Sequence, residues 1–197
     1  MTNINLFVED NGHEQFIKAV LNRLASEFRL QLTIKSSNVR GGHGKAVSEL
    51  REFIRDLQKD KENIPDLIIV AIDCNCKKYS DLLKQIKIET QIYSHFTIYA
   101  LPDPHVERWL LLDSSAFKSV FGKGCRTPDY KCERDRYKNL LYSAVDEAGF
   151  SVYFGGLEWT EEIVNAMNLH EMEQNDTSLG NFLKELKKKV DEWKLKQ

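Results

Sequence analysis

Acidic side chains follow two hydrophobic runs of this chain, at the point where each run ends. The run at Asn5–Val8 is followed by Glu9. The run at Leu67–Ile72 is followed by Asp73, and Asn75 lies two positions further on. Short, continuously apolar runs are typical of strands buried on both faces of a parallel sheet, and ligands bind where such strands end. Carboxylate and amide oxygens suit Mg²⁺ or Mn²⁺, so we predict a metal site at Glu9, Asp73 and Asn75 and, with it, phosphodiester chemistry.

Two further glutamates could support this site. Glu14 lies one turn into the helix predicted after Glu9, and Glu107 lies in the first turn of the helix predicted after the fourth strand. Each could help to hold a second ion or activate a water molecule as a general base. We therefore predict catalytic roles for Glu9, Glu14 and Glu107. The alternative for Glu14 is that it and Asp10 merely stabilise a helix N-terminus. The alternative for Glu107 is a helix that only packs on the sheet.

The stretch from Arg40 to Lys45 reads Arg-Gly-Gly-His-Gly-Lys and precedes a predicted helix. Its glycines let backbone amides approach an anion, which the helix N-terminus also favours. We predict that Arg40, His43 and Lys45 contact nucleic-acid phosphates, with Lys45 also neutralising charge during catalysis. Arg108 is a further phosphate-binding candidate. The glycine spacing does not fit a P-loop, and a flexible surface loop is the alternative.

Strand-like and helix-like segments alternate over the first hundred residues. The predicted strands are Asn5–Val8, Leu30–Ile34, Asp66–Asp73 and Phe96–Leu101. Helices of about 10–16 residues between strands favour right-handed crossovers. We therefore predict an α/β fold with a mostly parallel sheet flanked by helices.

The alternation of strands and helices stops at Pro104, and most of the segments predicted after it are helical. We predict an α/β domain over residues 1–121 and a mainly helical extension over residues 122–197 that packs on it. Thr160–His170 is predicted to be one helix. Phe150–Phe154 fits either an edge strand or an aromatic plug under a loop.

The charge and hydrophobicity of the chain limit the kinds of partner that we predict. The chain has 28 lysines and arginines against 30 aspartates and glutamates, a formal net charge of −2. No global basic field therefore favours a protein that coats DNA, although a local patch could still grip phosphates. No run is long enough to cross a membrane and no signal peptide is visible. We predict a cytoplasmic protein without a membrane partner and with four free cysteines, whose spacing does not fit a structural zinc site.

Residues 3–115 resemble the TOPRIM domain, which primases, topoisomerases and the OLD-family and related defence nucleases share. Phe7–Asp10, continuing to Glu14, is similar to the first family motif. Ile72–Asn75 is similar to the second, with Asn75 in place of its last aspartate. Pro104–Asp113 resembles the Glu-x-Trp-Leu helix of a group of TOPRIM-like bacterial proteins often encoded beside an ATPase. The resemblance implies Mg²⁺ held by the two acidic motifs.

The function predicted from these patterns is a metal-dependent nuclease in anti-phage or mobile-element defence, acting on DNA in preference to RNA. A catalytically silent TOPRIM-like module that binds a partner ATPase is the main alternative. A small-molecule phosphotransferase that uses the glycine-rich loop ranks third. Self-association into a homo-oligomer stays open.

Overall fold

The hydrophobic runs form a parallel sheet in the computed structural model, which describes residues 1–39, 43–60 and 64–195, with the backbone alone at His43. Within these ranges the sheet has four strands, in the order β2-β1-β3-β4. They are β1 (Thr2–Val8), β2 (Leu32–Asn38), β3 (Leu67–Ala71) and β4 (Thr97–Ala100). The predicted α/β fold with a parallel sheet flanked by helices is therefore confirmed.

The strand order places a topological switch point between β1 and β3. The chain leaves β1 toward β2 on one side, and the later strands β3 and β4 lie on the other side. β1 and β3 pair in parallel, with Leu6 opposite Ile69 and Val8 opposite Ala71. In open α/β sheets the crevice at such a reversal is the usual place for a ligand. Both acidic motifs leave the sheet at this crevice.

Helices cover both faces of the sheet. The described helices are α1 (Asn11–Phe28), α2 (Ala46–Lys59), α3 (Tyr79–Glu89), α4 (Val106–Leu110), α5 (Ser114–Phe121), α6 (Arg136–Asp146), α7 (Thr160–Ala166), α8 (Leu169–Asn175) and α9 (Thr177–Lys194). One core joins α2 and α3 to the face that carries Phe7, Ile68 and Val70. The other face is covered by α1 and by the helices after β4. Because both faces are covered, every residue of β3 is buried, which explains its unbroken apolar run.

The C-terminal helices share their core with the sheet. Trp109 of α4 is fully buried, 5.1 Å from the Phe16 ring of α1 and stacked 6.2 Å from the Phe182 ring of α9. Its indole N–H donates to Ser178 Oγ at 2.9 Å, so the polar edge of a buried ring is satisfied. The helices after residue 122 therefore share a core with the sheet. The predicted division into a domain over residues 1–121 and an extension over residues 122–197 stays a prediction.

Two predictions of secondary structure after residue 122 need comment. The single helix predicted at Thr160–His170 is wrong, because α7 ends and α8 begins within it. The Asn168 side chain accepts from Glu171 N and starts α8, while Arg23 donates to two carbonyl oxygens at the end of α7. Residues 150–154 form a loop rather than a strand, and the Phe150 ring packs edge-on against Trp159. Phe150 therefore fits the aromatic-plug alternative, whereas Tyr153 and Phe154 are largely exposed.

Cys76 and Cys132 are joined by a disulfide, with their Cα atoms 5.6 Å apart. The prediction of four free cysteines is therefore wrong for these two and holds for Cys74 and Cys125. The cysteines lie 56 residues apart in sequence, and only the packing of the 122–135 segment beside the end of β3 brings them together. No helix in the described part of the chain is long and apolar enough to cross a membrane. The cytoplasmic location stays a prediction.

Candidate metal centre

The Asp73 carboxylate is the centre of a buried polar cluster at the switch point. It lies two residues beyond the end of β3 and is 6% exposed. Oδ1 accepts from Val106 N at 3.0 Å and lies 2.9 Å from His13 Nε2. Oδ2 lies 3.0 Å from His105 Nδ1. The start of α1 and the start of α4, which are distant in sequence, therefore converge on one carboxylate.

Glu9 occupies the neighbouring strand exit. Its backbone N–H donates to Ala71 O at 2.9 Å and so prolongs the pairing of β1 with β3 by one residue. Its side-chain Oε2 accepts from Asp73 N at 3.0 Å. The Glu9 residue is 9% exposed. The strand pairing thus holds the two predicted acidic ligands side by side.

His13 is the third member of the cluster and is almost completely buried, with 1% of its surface exposed. Asp10 caps the N-terminus of α1 by accepting from His13 N, and its Oδ1 also lies 2.7 Å from His13 Nδ1. This cap fixes the imidazole in place, so that Nε2 is left to face Asp73. Gly12 lets this turn pack closely against its neighbours, because a Cβ at position 12 would lie 3.2–3.3 Å from atoms of Leu157, Asp10 and Val106.

Glu9, His13 and Asp73 could together bind a metal ion. One ligand atom from each residue lies within 4.8 Å of those of the other two. Asp10 would then act on the far side of the imidazole, as carboxylates commonly do for metal-ligating histidines. The set combines two oxygen donors with one nitrogen donor, which differs from the all-oxygen set that the sequence predicted.

The charges of the cluster stabilise one another. Burial alone would lower the pKa of His13, but the charge of Asp73 and the hydrogen bonds with Asp10 and Asp73 raise it well above its usual value. Burial alone would raise the pKa of Asp73, yet the His13 charge and the hydrogen bonds from both histidines hold it below the usual range. A protonated His13 therefore takes the place of a cation between Asp10 and Asp73.

Glu107 adds a buried acidic group beside the cluster. It is 3% exposed, and its Oε2 has no hydrogen-bond partner among the residues that the structure describes. Burial raises the pKa of Glu107, and the nearby charge of Asp73 adds to this shift. A buried oxygen without a partner calls for a ligand, a water molecule or a proton. Glu107 thus lies beside the cluster, and its predicted supporting and catalytic roles stay predictions.

Glu14 and Lys45 lie at the end of β2 instead. Glu14 Oε1 lies 2.5 Å from Lys18 Nζ, and Oε2 accepts from Asn38 Nδ2 at 2.9 Å. Lys45 is exposed and lines a separate cleft with Asn38 and Glu49. Asn75 is closer to the cluster, since its backbone N–H donates to Pro104 O at 3.1 Å. The predicted roles of all three stay predictions.

The predicted nucleic-acid contacts fall in different places. Arg40 and the side chain of His43 lie outside the described residues. Arg108 is largely buried and forms an ion pair with Asp176 at the start of α9. This pairing ties α4 to α9, so the guanidinium has a structural partner whether or not it also meets a phosphate.

Sequence reasoning missed His13, and it considered Asp10 only as a residue that stabilises the helix N-terminus. A usable signal was present, because an aspartate three residues before a histidine at a helix start matches the spacing of an N-cap. Glu9 and His13 are also four residues apart, across the strand-to-helix turn. His105 was considered as a proton shuttle or phosphate contact after the fourth strand, while its contact with Asp73 depends on the fold.

The chain was compared with protein-family models, with curated proteins and with solved structures, and none of the three comparisons found a match. The resemblance to the TOPRIM domain therefore stays a prediction from the motifs.

Proposed function

We propose that this chain is a metal-dependent phosphodiesterase that cleaves nucleic acid, with its metal ion held by Glu9, His13 and Asp73. The observation that carries the proposal is the convergence of these three donors at the switch point of the sheet. The resemblance of the two acidic motifs to those of TOPRIM nucleases supports nucleic acid as the substrate, and with it a role in anti-phage or mobile-element defence.

The donor set favours Mn²⁺ over Mg²⁺ as the ion. Mg²⁺ prefers oxygen ligands in octahedral geometry, whereas an imidazole nitrogen suits transition metals. His13 supplies that nitrogen. The partnerless Oε2 of Glu107 fits a cationic ligand as well, because the buried oxygen would gain a favourable charge nearby. Zn²⁺ and Fe²⁺ are the natural comparisons for the same donors.

The side chains around the ion have separate tasks. Asp10 orients His13 through Nδ1, and the Asp73 backbone N–H orients the Glu9 carboxylate. The chemistry that a divalent ion supplies here is Lewis-acid polarisation of a phosphate ester. Hydrogen bonding with Asp73 raises the pKa of His105. This shift favours the protonated imidazole, which can deliver a proton from Nε2 to a leaving oxygen.

Cleavage assays test the proposal directly. Purified protein would be incubated with single-stranded DNA, plasmid and tRNA in the presence of Mn²⁺, Mg²⁺, Zn²⁺ or EDTA. We expect cleavage with Mn²⁺, with a loss of at least about 100-fold in Glu9→Gln and Asp73→Asn. Glu14→Gln is the matched control, because it removes one carboxylate at the end of β2 and should retain activity. Cleavage that survives in Asp73→Asn would contradict the proposal.

A catalytically silent module is the second candidate, and the burial of the cluster favours it. Each proposed ligand is at most 9% exposed, so a bound ion could serve stability alone. In that case Mn²⁺ at 100 times its dissociation constant should raise the unfolding free energy by about 2.7 kcal/mol, without cleavage of any substrate. A partner ATPase would then be sought by co-purification, with Asp73→Asn retaining the interaction.

A further inference from the structure

The segment between α5 and the start of α6 has a charge opposite to that of the whole chain. Residues 123–138, here called the basic segment, hold six lysines and arginines against three acidic residues, whereas the chain has a net charge of −2. The cations are Lys123, Arg126, Lys131, Arg134, Arg136 and Lys138. Among the cations of this segment that form ion pairs, Arg134 has the most exposed side chain, at 95%. An exposed local excess of positive charge attracts a polyanion.

The basic segment lies against the loops that form the metal centre. Tyr130 Oη donates to Asp103 Oδ1 at 3.0 Å, within the turn that precedes His105. The Tyr137 ring lies 6.2 Å from the His105 ring. The disulfide from Cys132 ends at Cys76, three residues after Asp73. A ligand held on the basic segment would therefore lie beside the proposed site of cleavage.

Lys138 extends the positive charge to the cluster itself. It is an exposed residue in the first turn of α6, next to the Tyr137 that faces His105. Its ammonium group acts electrostatically on Asp10, His105 and Glu107. Lys138 therefore offsets part of the acidic charge that would repel a phosphate at the metal centre.

Tyr130 adds an aromatic surface to the cations. The residue is 54% exposed, and the Arg108 guanidinium carbon lies 6.0 Å from its ring centroid. The ring is thus positioned by Arg108 and by the hydrogen bond to Asp103, while half of its surface is open. Exposed aromatic rings beside cations bind single strands, because unpaired bases stack on the rings and phosphates meet the charges. In a duplex the base faces are already covered by neighbouring pairs.

We propose that the basic segment binds single-stranded nucleic acid, with a base stacked on Tyr130 and phosphates in contact with Arg134 and Lys138. This inference rests on the proposed function and names the form of its substrate. The shared chemistry is a flexible phosphate backbone with accessible bases, which both DNA and RNA single strands provide.

A binding assay under conditions without cleavage tests whether a base stacks on Tyr130. Fluorescence anisotropy in EDTA would compare labelled oligothymidylate, oligouridylate and a duplex of equal length. We expect Tyr130→Ala to weaken single-strand binding by about 5-fold or more. Tyr130→Phe is the matched control, because it keeps the ring and removes only the hydroxyl that bonds Asp103. We expect this variant to stay within about twofold of wild type.

The salt dependence of binding tests the phosphate contacts. Arg134→Gln and Lys138→Gln should each reduce the slope of log K against log salt by about 0.7, the value for one phosphate contact on a single strand. Arg55→Gln is the control, because Arg55 is exposed on α2, which belongs to the layer on the opposite face of the sheet. Its slope should equal that of wild type.

Several results would overturn this inference. These are no binding of either single strand, an unchanged affinity in Tyr130→Ala, tighter binding of the duplex, and equal displacement of the oligonucleotide by polyglutamate. The nuclease proposal fails separately. Single-strand binding that follows these expectations, without metal-dependent cleavage, would reject the nuclease and support the binding surface. Metal-dependent cleavage that is unchanged in Tyr130→Ala would support the nuclease and reject the binding surface.

Discussion

Acidic residues follow β1 and β3, and one further carboxylate, that of Glu14 in α1, lies at the exit of β2 in different surroundings. At the exits of β1 and β3, Glu9 and Asp73 lie beside His13, whose ring is held by Asp10 and Asp73. At β2, the Glu14 carboxylate is paired with the flexible Lys18 and with Asn38. The first environment is buried and shared by three segments, whereas the second is built from neighbouring surface side chains.

This difference shows what the position of a carboxylate contributes to its chemistry. A buried carboxylate that meets an imidazole can exchange the imidazole's proton for a metal ion. A carboxylate paired with a nearby lysine is already neutralised by a solvated partner, and such a pair contributes little to stability or binding. We therefore expect substitutions at the two exits to have effects of different size.

Asp73→Asn should have the largest effect. It removes the charge that both His13 and His105 contact, while the shape of the side chain is retained. We expect the affinity for Mn²⁺ to fall by at least about 100-fold, because a ligand should contribute at least as much as an outer-shell partner. Calorimetric titration would measure the affinity, and circular dichroism would verify folding. An affinity within threefold of wild type would remove Asp73 from the metal centre.

Asp10→Asn should have the next largest effect. Asparagine caps helices as well as aspartate does, so the start of α1 should survive while the charge on the far side of His13 is lost. Outer-shell changes of this kind reduce metal affinity by about 10- to 100-fold. The same titration measures this loss. If the affinity were unchanged, Asp10 would serve only as a helix cap.

The buried cluster should also give the stability a distinctive pH dependence without metal. The folded pKa of His13 is raised above its usual 6.5, so its contribution is complete below pH 6.5 and is lost as the pH rises through the folded pKa. The loss is about 1.4 kcal/mol for each unit by which the pKa is raised.

The carboxylates of the cluster behave in the opposite way. The pKa values of Asp10 and Asp73 are lowered from 3.8, so their contribution is present above about pH 3.8 and is lost as the pH falls through the folded values. Urea unfolding at a series of pH values would measure the loss of stability on both the alkaline limb, due to His13, and the acidic limb, due to Asp10 and Asp73. His13→Gln should flatten the alkaline limb, and an unchanged limb in that variant would assign it to another group.

Glu14→Gln should have the smallest effect. The hydrogen bonds with Lys18 and Asn38 lower the pKa of Glu14 although burial opposes them. Removing its charge should change the unfolding free energy by no more than about 0.5 kcal/mol and Mn²⁺ affinity by less than about twofold. Urea unfolding and Mn²⁺ titration of Glu14→Gln and Asp73→Asn side by side would compare the two variants. A tenfold loss of affinity would bring the exit of β2 into the metal centre.

Much of the fold could be predicted because its signals are local. The apolar run at Leu67–Ile72 and the helical spacing after Glu9 each depend on neighbours in the chain. Local signals failed where a distant residue decided the outcome. Arg23 binds the end of α7 from a helix more than a hundred residues earlier, and no pattern in Thr160–His170 indicates that contact.

The sequence by itself determined the alternation of strands and helices and the acidic residues at the ends of β1 and β3, because hydrophobic period and chain order suffice for these features. Only the tertiary structure decided that His13 joins Glu9 and Asp73, that Glu14 lies apart from them, and that Cys132 reaches Cys76. The physical reason is that these contacts depend on strand order and helix packing. Both are set by the burial of the whole core, which no short motif encodes.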